Sequence, residues 1–248
     1  MKEWHALNFA HRGLTLNAPE NSMAAFQAAL DLGADGIEFD VRTCKSGELV
    51  VLHDSKLERM TDGRGFVKDK TFGELKVLRL QYGGAESEPV PSLEDVLDLV
   101  RDRALLNIEI KTNGLPIKHG IAAKVIDIVR RHGLVANTII SSFNPLVLRK
   151  VRKIDQQMKC GFLIDGKFKV RNSEILFARV TGAQAVHLEK TLASPELVRK
   201  VLERGYLCLV WTVNEPESMK KFIKMGVSGI ITDKAEVLKE TKARWANA

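Results

Sequence analysis

The chain has 248 residues, 45% of them hydrophobic and 28% charged, and carries a net charge of +7. This is a soluble, globular composition, long enough to bury a large core without disulfides or a structural metal. The isoelectric point near 9.3 favours anionic partners or marks a merely basic surface; the basic residues are dispersed beside only two tyrosines, which excludes a nucleic-acid-binding face.

The first strand is expected over roughly His5 to Ala10. It runs into Ala10-His11-Arg12-Gly13, where a histidine, an arginine and a turn-forming glycine make a candidate anion site. Asn21 or Ser22 can cap the helix that follows, whose Met23, Phe26 and Leu30 share one face and whose stop is Gly33. The second strand covers Asp35 to Thr43, and Glu38 and Asp40, two apart, project from the same face of it. Ser46-Gly47 reads as a tight hairpin, with Glu48 to His53 running back. If those two residues are the loop, Asp40 faces His53 across the hairpin, about 4.5–5.5 Å away at Cβ. From Asp54 to Pro91, glycines and prolines break the pattern and only Phe72 to Leu80 looks helical. A stretch this long reads as an insertion or small subdomain that carries or covers the site.

Ser92 then caps a helix with Leu93, Val96, Leu97 and Val100 on one face. The strand Leu105 to Ile110 ends at Glu109 and Lys111. Ile117, Ile121, Val125 and Ile128 mark a long helix that stops near Gly133. Further strands centre near Ile140, Gly161, Ala185, Leu209 and Ile230, with a helix in each gap. One of these helices is bounded by Ser194, Pro195 and Gly205. Eight strands alternating with helices predict a (β/α)8 TIM barrel, one domain over residues 1–248 with a small insertion after strand 2, at about 54–91. An open doubly wound sheet is the alternative, but no Gly-x-Gly-x-x-Gly follows the first strand.

In such a barrel the reactive face lies at the C-terminal ends of the strands. His11, Arg12, Glu38, Asp40, Glu109, Lys111, Ser141, Ser142, His187, Glu189, Trp211, Asn214, Thr232 and Asp233 all fall there. Carboxylates within apolar strands are costly unless neutralised. Glu38, Asp40 and Glu109 therefore either bind a hard divalent cation, Mg²⁺ or Ca²⁺ with Mn²⁺ a third candidate, or pair separately with lysine or arginine. His11 and His53, beside these acids, can act as base and acid across one reacting centre. His5, His119 and His132 read as structural or surface residues. Arg12 and Lys111 supply fixed positive charge, for a phosphate or for the carboxylates. Trp211 walls a pocket or fills the core, and His187 is equally open between substrate contact and burial. Cys44, Cys160 and Cys208 lie far apart with no Cys-x-x-Cys pair, which fits a reducing compartment. No apolar leader and no run of ~18 apolar residues stand in the chain. A cytoplasmic protein without stable membrane insertion is expected, and its oligomeric state is not legible.

The ordered motifs resemble the glycerophosphodiester phosphodiesterase family. They are His11-Arg12-Gly13, Pro19-Glu20-Asn21, Glu38-x-Asp40, and His53-Asp54 followed by Leu57, Arg59, Thr61, Gly63 and Gly65. Then come Pro91-Ser92-Leu93, Glu109-Ile110-Lys111, Ser142-Phe143, Trp211-Thr212-Val213-Asn214 and Gly229-Ile230-Ile231-Thr232-Asp233. The resemblance covers nearly the whole chain. It implies hydrolysis of a small-molecule glycerophosphodiester to an alcohol and sn-glycerol 3-phosphate. It implies metal binding by Glu38, Asp40 and Glu109, an acid–base pair in His11 and His53, and phosphate contacts from Arg12 and Lys111. Lysophospholipids are the alternative substrate, with Phe66, Phe72, Leu75, Leu78, Leu80 and Tyr82 as a candidate apolar rim. Three departures stand out: Ser22 where Thr is usual, Ser228 for a common Asp, and Lys234-Ala235 for a common proline-containing step.

Overall fold

The computed structural model describes residues 6–81, 83, 88–112, 120–166 and 174–246, the last of these partly by backbone alone. His5, Tyr82, Ile117 and His119 lie outside the described residues. The elements run β1 (Leu7–His11), α1 (Met23–Leu32), β2 (Gly36–Thr43), β3 (Leu49–Val51), α2 (Phe72–Lys76), α3 (Leu93–Val100), β4 (Leu105–Ile110) and α4 (Ile121–Arg131). They continue as β5 (Thr138–Ser142), α5 (Pro145–Ile154), β6 (Lys159–Ile164), α6 (Glu174–Thr181), β7 (Ala185–Glu189), α7 (Pro195–Glu203), β8 (Leu207–Trp211), α8 (Pro216–Lys224), β9 (Gly229–Thr232) and α9 (Ala235–Ala246).

The strands pair in the order β1-β9-β8-β7-β6-β5-β4-β2, and β1 pairs with β2 to close the ring. All eight pairs are parallel. This is the expected (β/α)8 barrel; β3 adds only an antiparallel hairpin arm on β2. The helices build the outer layer because each has one apolar stripe to bury. Phe26 of α1, Leu93 and Leu97 of α3, Val125 of α4 and Val198 of α7 all join one continuous core against the strands. Local signals fix where the helices begin. Ser22 caps α1 through Ala25 N–H, Ser92 and Asp95 form a reciprocal capping box at α3, and Ser194 precedes Pro195 at α7.

The hairpin register differs from expectation by one residue. Val41 faces Val51 and Thr43 faces Leu49, and Leu52 N–H donates to the Asp40 carbonyl. Asp40 is therefore opposite Leu52, not His53. The cause is the loop, which spans three residues, Lys45-Ser46-Gly47. Gly47 N–H bonds the Cys44 carbonyl, and Gly47 sits at φ +101°, where glycine alone is unstrained. Beyond β3, Leu52, Leu57, Val67, Leu75, Leu80 and Val90 bury one another with Cys44 and Val50 in a separate apolar cluster. This segment also reaches back to the barrel, where Glu88 accepts from Met23 and Ala24 N–H at the start of α1.

Candidate active site

The C-terminal mouth of the barrel collects the polar residues. β1 ends in His11, and the chain leaves it through Arg12 (φ 57°) and Gly13 (φ 87°). A Cβ on Gly13 would lie 2.7 Å from the Ala25 backbone, so the turn requires glycine. Arg12 N–H donates to the Glu38 carbonyl at 2.7 Å, which ties this turn to β2. Asn21 then donates through Nδ2 to Asp40 Oδ2 at 2.9 Å.

Glu38 and Asp40 do point the same way, and β4 brings Glu109 alongside Asp40 in register. All three are buried, and one oxygen of each lies within 4.8 Å of the others. Lys111 Nζ contacts Asp40 at 3.1 Å and Glu109 at 2.6 Å; Arg12 Nε lies 3.2 Å from Asp40. Arg12 also donates through Nη1 to Glu20. Both cations are thus counter-ions of the acids. Burial raises the Asp40 pKa, but Lys111 and Arg12 overcome it and hold the carboxyl below its ordinary value. Glu38 fares differently: burial and repulsion from Asp40 push it up to about 8. Burial also raises Glu109, against the pull of Lys111.

This donor set fits a divalent cation. It is all oxygen, as hard cations require. Among the described residues no lysine or arginine side chain pairs with Glu38; its Oε2 accepts from Arg12 N–H at 3.3 Å and lies 3.8 Å from His11 Nε2. Asn107, two residues before Glu109 and in register with Glu38, lines the same cavity. Its Nδ2 and Oδ1 are buried and unpartnered, a costly state unless something absent from the protein chain meets them.

The two histidines stand on this cavity, which measures about 200 Å³. His11 Nδ1 lies 2.6 Å from Asp233 Oδ1, so the carboxylate accepts Nδ1–H and leaves Nε2 facing inward. Asn214 Nδ2 donates in turn to Asp233 Oδ2. Burial lowers the His11 pKa, but Asp233 and Glu38 outweigh it and the net shift is upward. His53 Nδ1 lies 2.6 Å from Asp54, and Arg42 holds the His53 carbonyl. Burial dominates there and, with Lys111 and Arg12 nearby, the His53 pKa falls despite Asp40. The remaining wall is apolar: Phe143, Leu163, Trp211 and Ile231. Trp211 meets Phe143 edge-on at 5.6 Å and donates Nε1–H to the His187 carbonyl.

His187 does not reach the cavity. It is fully buried, both ring nitrogens are unpartnered, and its ring lies over Gly161, where a Cβ would come within 2.4 Å. Burial alone lowers its pKa to about 3, so it stays neutral. Ser142 donates to the Ile110 carbonyl and Glu189 accepts from Gly166, both structural roles. Sequence reasoning gave no part to Asn107, nor to Asp233 as the partner of His11. The signal for the second was available: in a closed barrel the last strand neighbours the first, and Ala10 pairs with Thr232, one residue before each.

Residues 11–237 match the model of the glycerophosphoryl diester phosphodiesterase family. A glycerophosphodiester phosphodiesterase of Caldanaerobacter subterraneus subsp. tengcongensis is 40% identical over 237 residues, covering 94% of this chain and 96% of its own. The crystal structure of a glycerophosphodiester phosphodiesterase from Thermotoga maritima superposes with a TM-score of 0.79 at 28% identity, over 95% of this chain and 98% of that one. An Oleispira antarctica phosphodiesterase, solved in complex with the product sn-glycerol-3-phosphate, shares the fold at a TM-score of 0.86 and 23% identity, over 94% and 95% of the two chains.

Proposed function

Because the chain belongs to the glycerophosphoryl diester phosphodiesterase family, we propose that its upper cavity hydrolyses a glycerophosphodiester to an alcohol and sn-glycerol 3-phosphate by divalent-cation-assisted, histidine acid–base catalysis. The observation that carries this reading is the convergence of three buried carboxylates and two acid-anchored histidines on one cavity.

Glu38, Asp40 and Glu109 would hold Mg²⁺ or Ca²⁺, with Mn²⁺ as the remaining hard-ion candidate. Such an ion, when bound, polarises a phosphoryl oxygen and lowers the pKa of a hydroxyl beside it. The chain's own residues do the rest. His53, whose pKa is lowered, is neutral near pH 7 and takes the proton of the attacking hydroxyl at Nε2. Asp54 on Nδ1 supports the charge it acquires. His11 is the acid: Asp233 accepts its Nδ1–H, fixes the ring and favours its protonated form, and Nε2 delivers a proton to the leaving alkoxide. Opposite shifts on two groups of one type divide the acid from the base. With Glu38, Asp40 and Glu109 holding a cation, Arg12 and Lys111 would be free in part to meet phosphoryl oxygens. Trp211 and Phe143 form the apolar wall against which a glycerol backbone rests.

The chain's three cysteines are buried, unpaired thiols, which supports a cytoplasmic setting. Among the described residues no helix is long and apolar enough to cross a membrane. The direct test is release of glycerol 3-phosphate from glycerophosphoglycerol with added Mg²⁺ or Ca²⁺. Wild-type turnover in all three of His11→Ala, His53→Ala and Glu38→Gln would refute the assignment.

A further inference from the structure

A phosphodiester carries two substituents on one phosphorus, and the mouth of this barrel has two arms that meet at His11 and Arg12. The inner arm is the cavity of about 200 Å³ with the Phe143 and Trp211 wall. The outer arm is larger, about 560 Å³, and its lining includes Thr15, Glu20, Arg59, Asn214, Asp233 and Lys234. Their chemistries differ in a way that bears on which alcohol the substrate carries.

Both acids of the outer arm are already engaged. Glu20 accepts from Arg12 at 2.9 Å and from Arg59 at 2.6 Å. Asp233 is shared between His11 and Asn214. The arm's third cation has no such partner: among the described residues no carboxylate lies within ion-pair distance of Lys234. Its backbone is anchored, since Lys234 N–H donates to Thr232 Oγ1 at 2.9 Å, so the exposed side chain starts from a fixed point at the rim. Lys234 stands where the family resemblance leads one to expect a proline-containing step. Among the described residues no phenylalanine, tyrosine or tryptophan lines this arm. A quaternary ammonium is recognised by aromatic faces or by free carboxylate, and the outer arm offers neither. It offers the Thr15 hydroxyl and the one remaining amide N–H of Asn214, whose Nδ2 donates to Asp233 and whose Oδ1 accepts from Thr232 Oγ1 and Asp233 N–H, beside an excess of positive charge.

We propose that the outer arm receives the alcohol side of the diester and selects polyol head groups, glycerol- or inositol-like, over cationic ones such as choline and ethanolamine. Lys234 is the specificity-determining residue. The inference rests on the phosphodiesterase reading above and adds to it the substrate class.

The experiment is a comparison of kcat/KM for four diesters on the full chain with saturating Mg²⁺ or Ca²⁺: glycerophosphoglycerol, glycerophosphoinositol, glycerophosphocholine and glycerophosphoethanolamine. The polyol diesters are expected to exceed the choline diester by about tenfold, mostly through KM, a size set by one or two charges at a solvated rim. Lys234→Glu should erase that preference and Lys234→Ala should halve it on a logarithmic scale. The position is exposed, so neither variant threatens the fold. A wild-type preference for the choline diester overturns the inference, as does a polyol preference that both variants retain. No turnover of any of the four would instead overturn the phosphodiesterase reading on which it stands.

Discussion

The two mouths of the barrel are built from the same strands and share no chemistry. Along β1 the inward residues run Leu7, Phe9, His11; along β4 they run Leu105, Asn107, Glu109; along β8, Leu207, Leu209, Trp211. At the N-terminal end the described residues line a mainly apolar cavity of about 350 Å³, to which Asn137, Thr138, Lys159 and Ser228 also contribute. Phe9, Ala185, Leu209 and Ile231 pack into a plug between the ends, and Phe9 can sit there because Gly36 and Gly229 leave room for its ring. Two residues beyond the plug along β1, and four beyond Leu105 along β4, the same parity presents a histidine and an acid. One end stores the packing energy, and the other holds groups that repel or lie unpartnered. Natural proteins concentrate such local conflict at functional sites.

The comparison breaks most readily by mutation at each end. His11→Ala or His53→Ala should cut glycerophosphodiester turnover by about 10²–10⁴-fold while the thermal midpoint barely moves; glycerol 3-phosphate release and calorimetry check both halves. Phe9→Ala should do the reverse. It should cost about 3–5 kcal/mol in a denaturant titration, with kcat of the folded fraction unchanged.

The strain at the upper mouth also predicts a pH dependence. Glu38 titrates near 8 in the folded chain against 4.5 for the free group. The folded state therefore binds this proton more tightly, and metal-free stability is lost as pH rises from about 4.5 through about 8. On the proposed reading a divalent cation would take the proton's place. The thermal shift on adding Mg²⁺ or Ca²⁺ should grow across that window in wild type and lose this growth in Glu38→Gln. A shift independent of pH would argue against ligation at Glu38.

Asp233→Asn should be milder. It removes the largest support for the His11 proton, so the alkaline limb of the kcat/KM profile should move to lower pH while the acid limb, set by His53, stays in place. The smallest effect is expected at His187. His187→Leu removes two unpartnered buried nitrogens and should leave turnover within about twofold and stability within about 1 kcal/mol.

Much of this was legible in the sequence because the barrel is assembled from local units. Each βα pair carries its own alternation, cap and stop, as Ser92 and Ser194-Pro195 illustrate. Acids inside strands rich in Ile, Phe and Val announced a site before any geometry. What escaped depended on distance along the chain or on a neighbour's size. His53 reaches the acids from the segment after β3, not from the predicted cross-strand pairing, because Gly47 adopts a left-handed conformation and lengthens the loop by one residue. Asp233 meets His11 only through barrel closure, 222 residues apart. Parity alone places His187 inward, but whether an inward residue lines the cavity depends on its height along the axis and on the space that Gly161 leaves.

The central claim is that the upper mouth is a cation-dependent phosphodiester site and the lower one is not. It is tested most directly by stripping the protein with chelator and measuring glycerophosphoglycerol hydrolysis as Mg²⁺ or Ca²⁺ is restored, in wild type and in Glu38→Gln. The account predicts no turnover when stripped, saturable recovery in wild type, and little or none in the variant. Full activity in the stripped protein, or equal recovery in both, would contradict it.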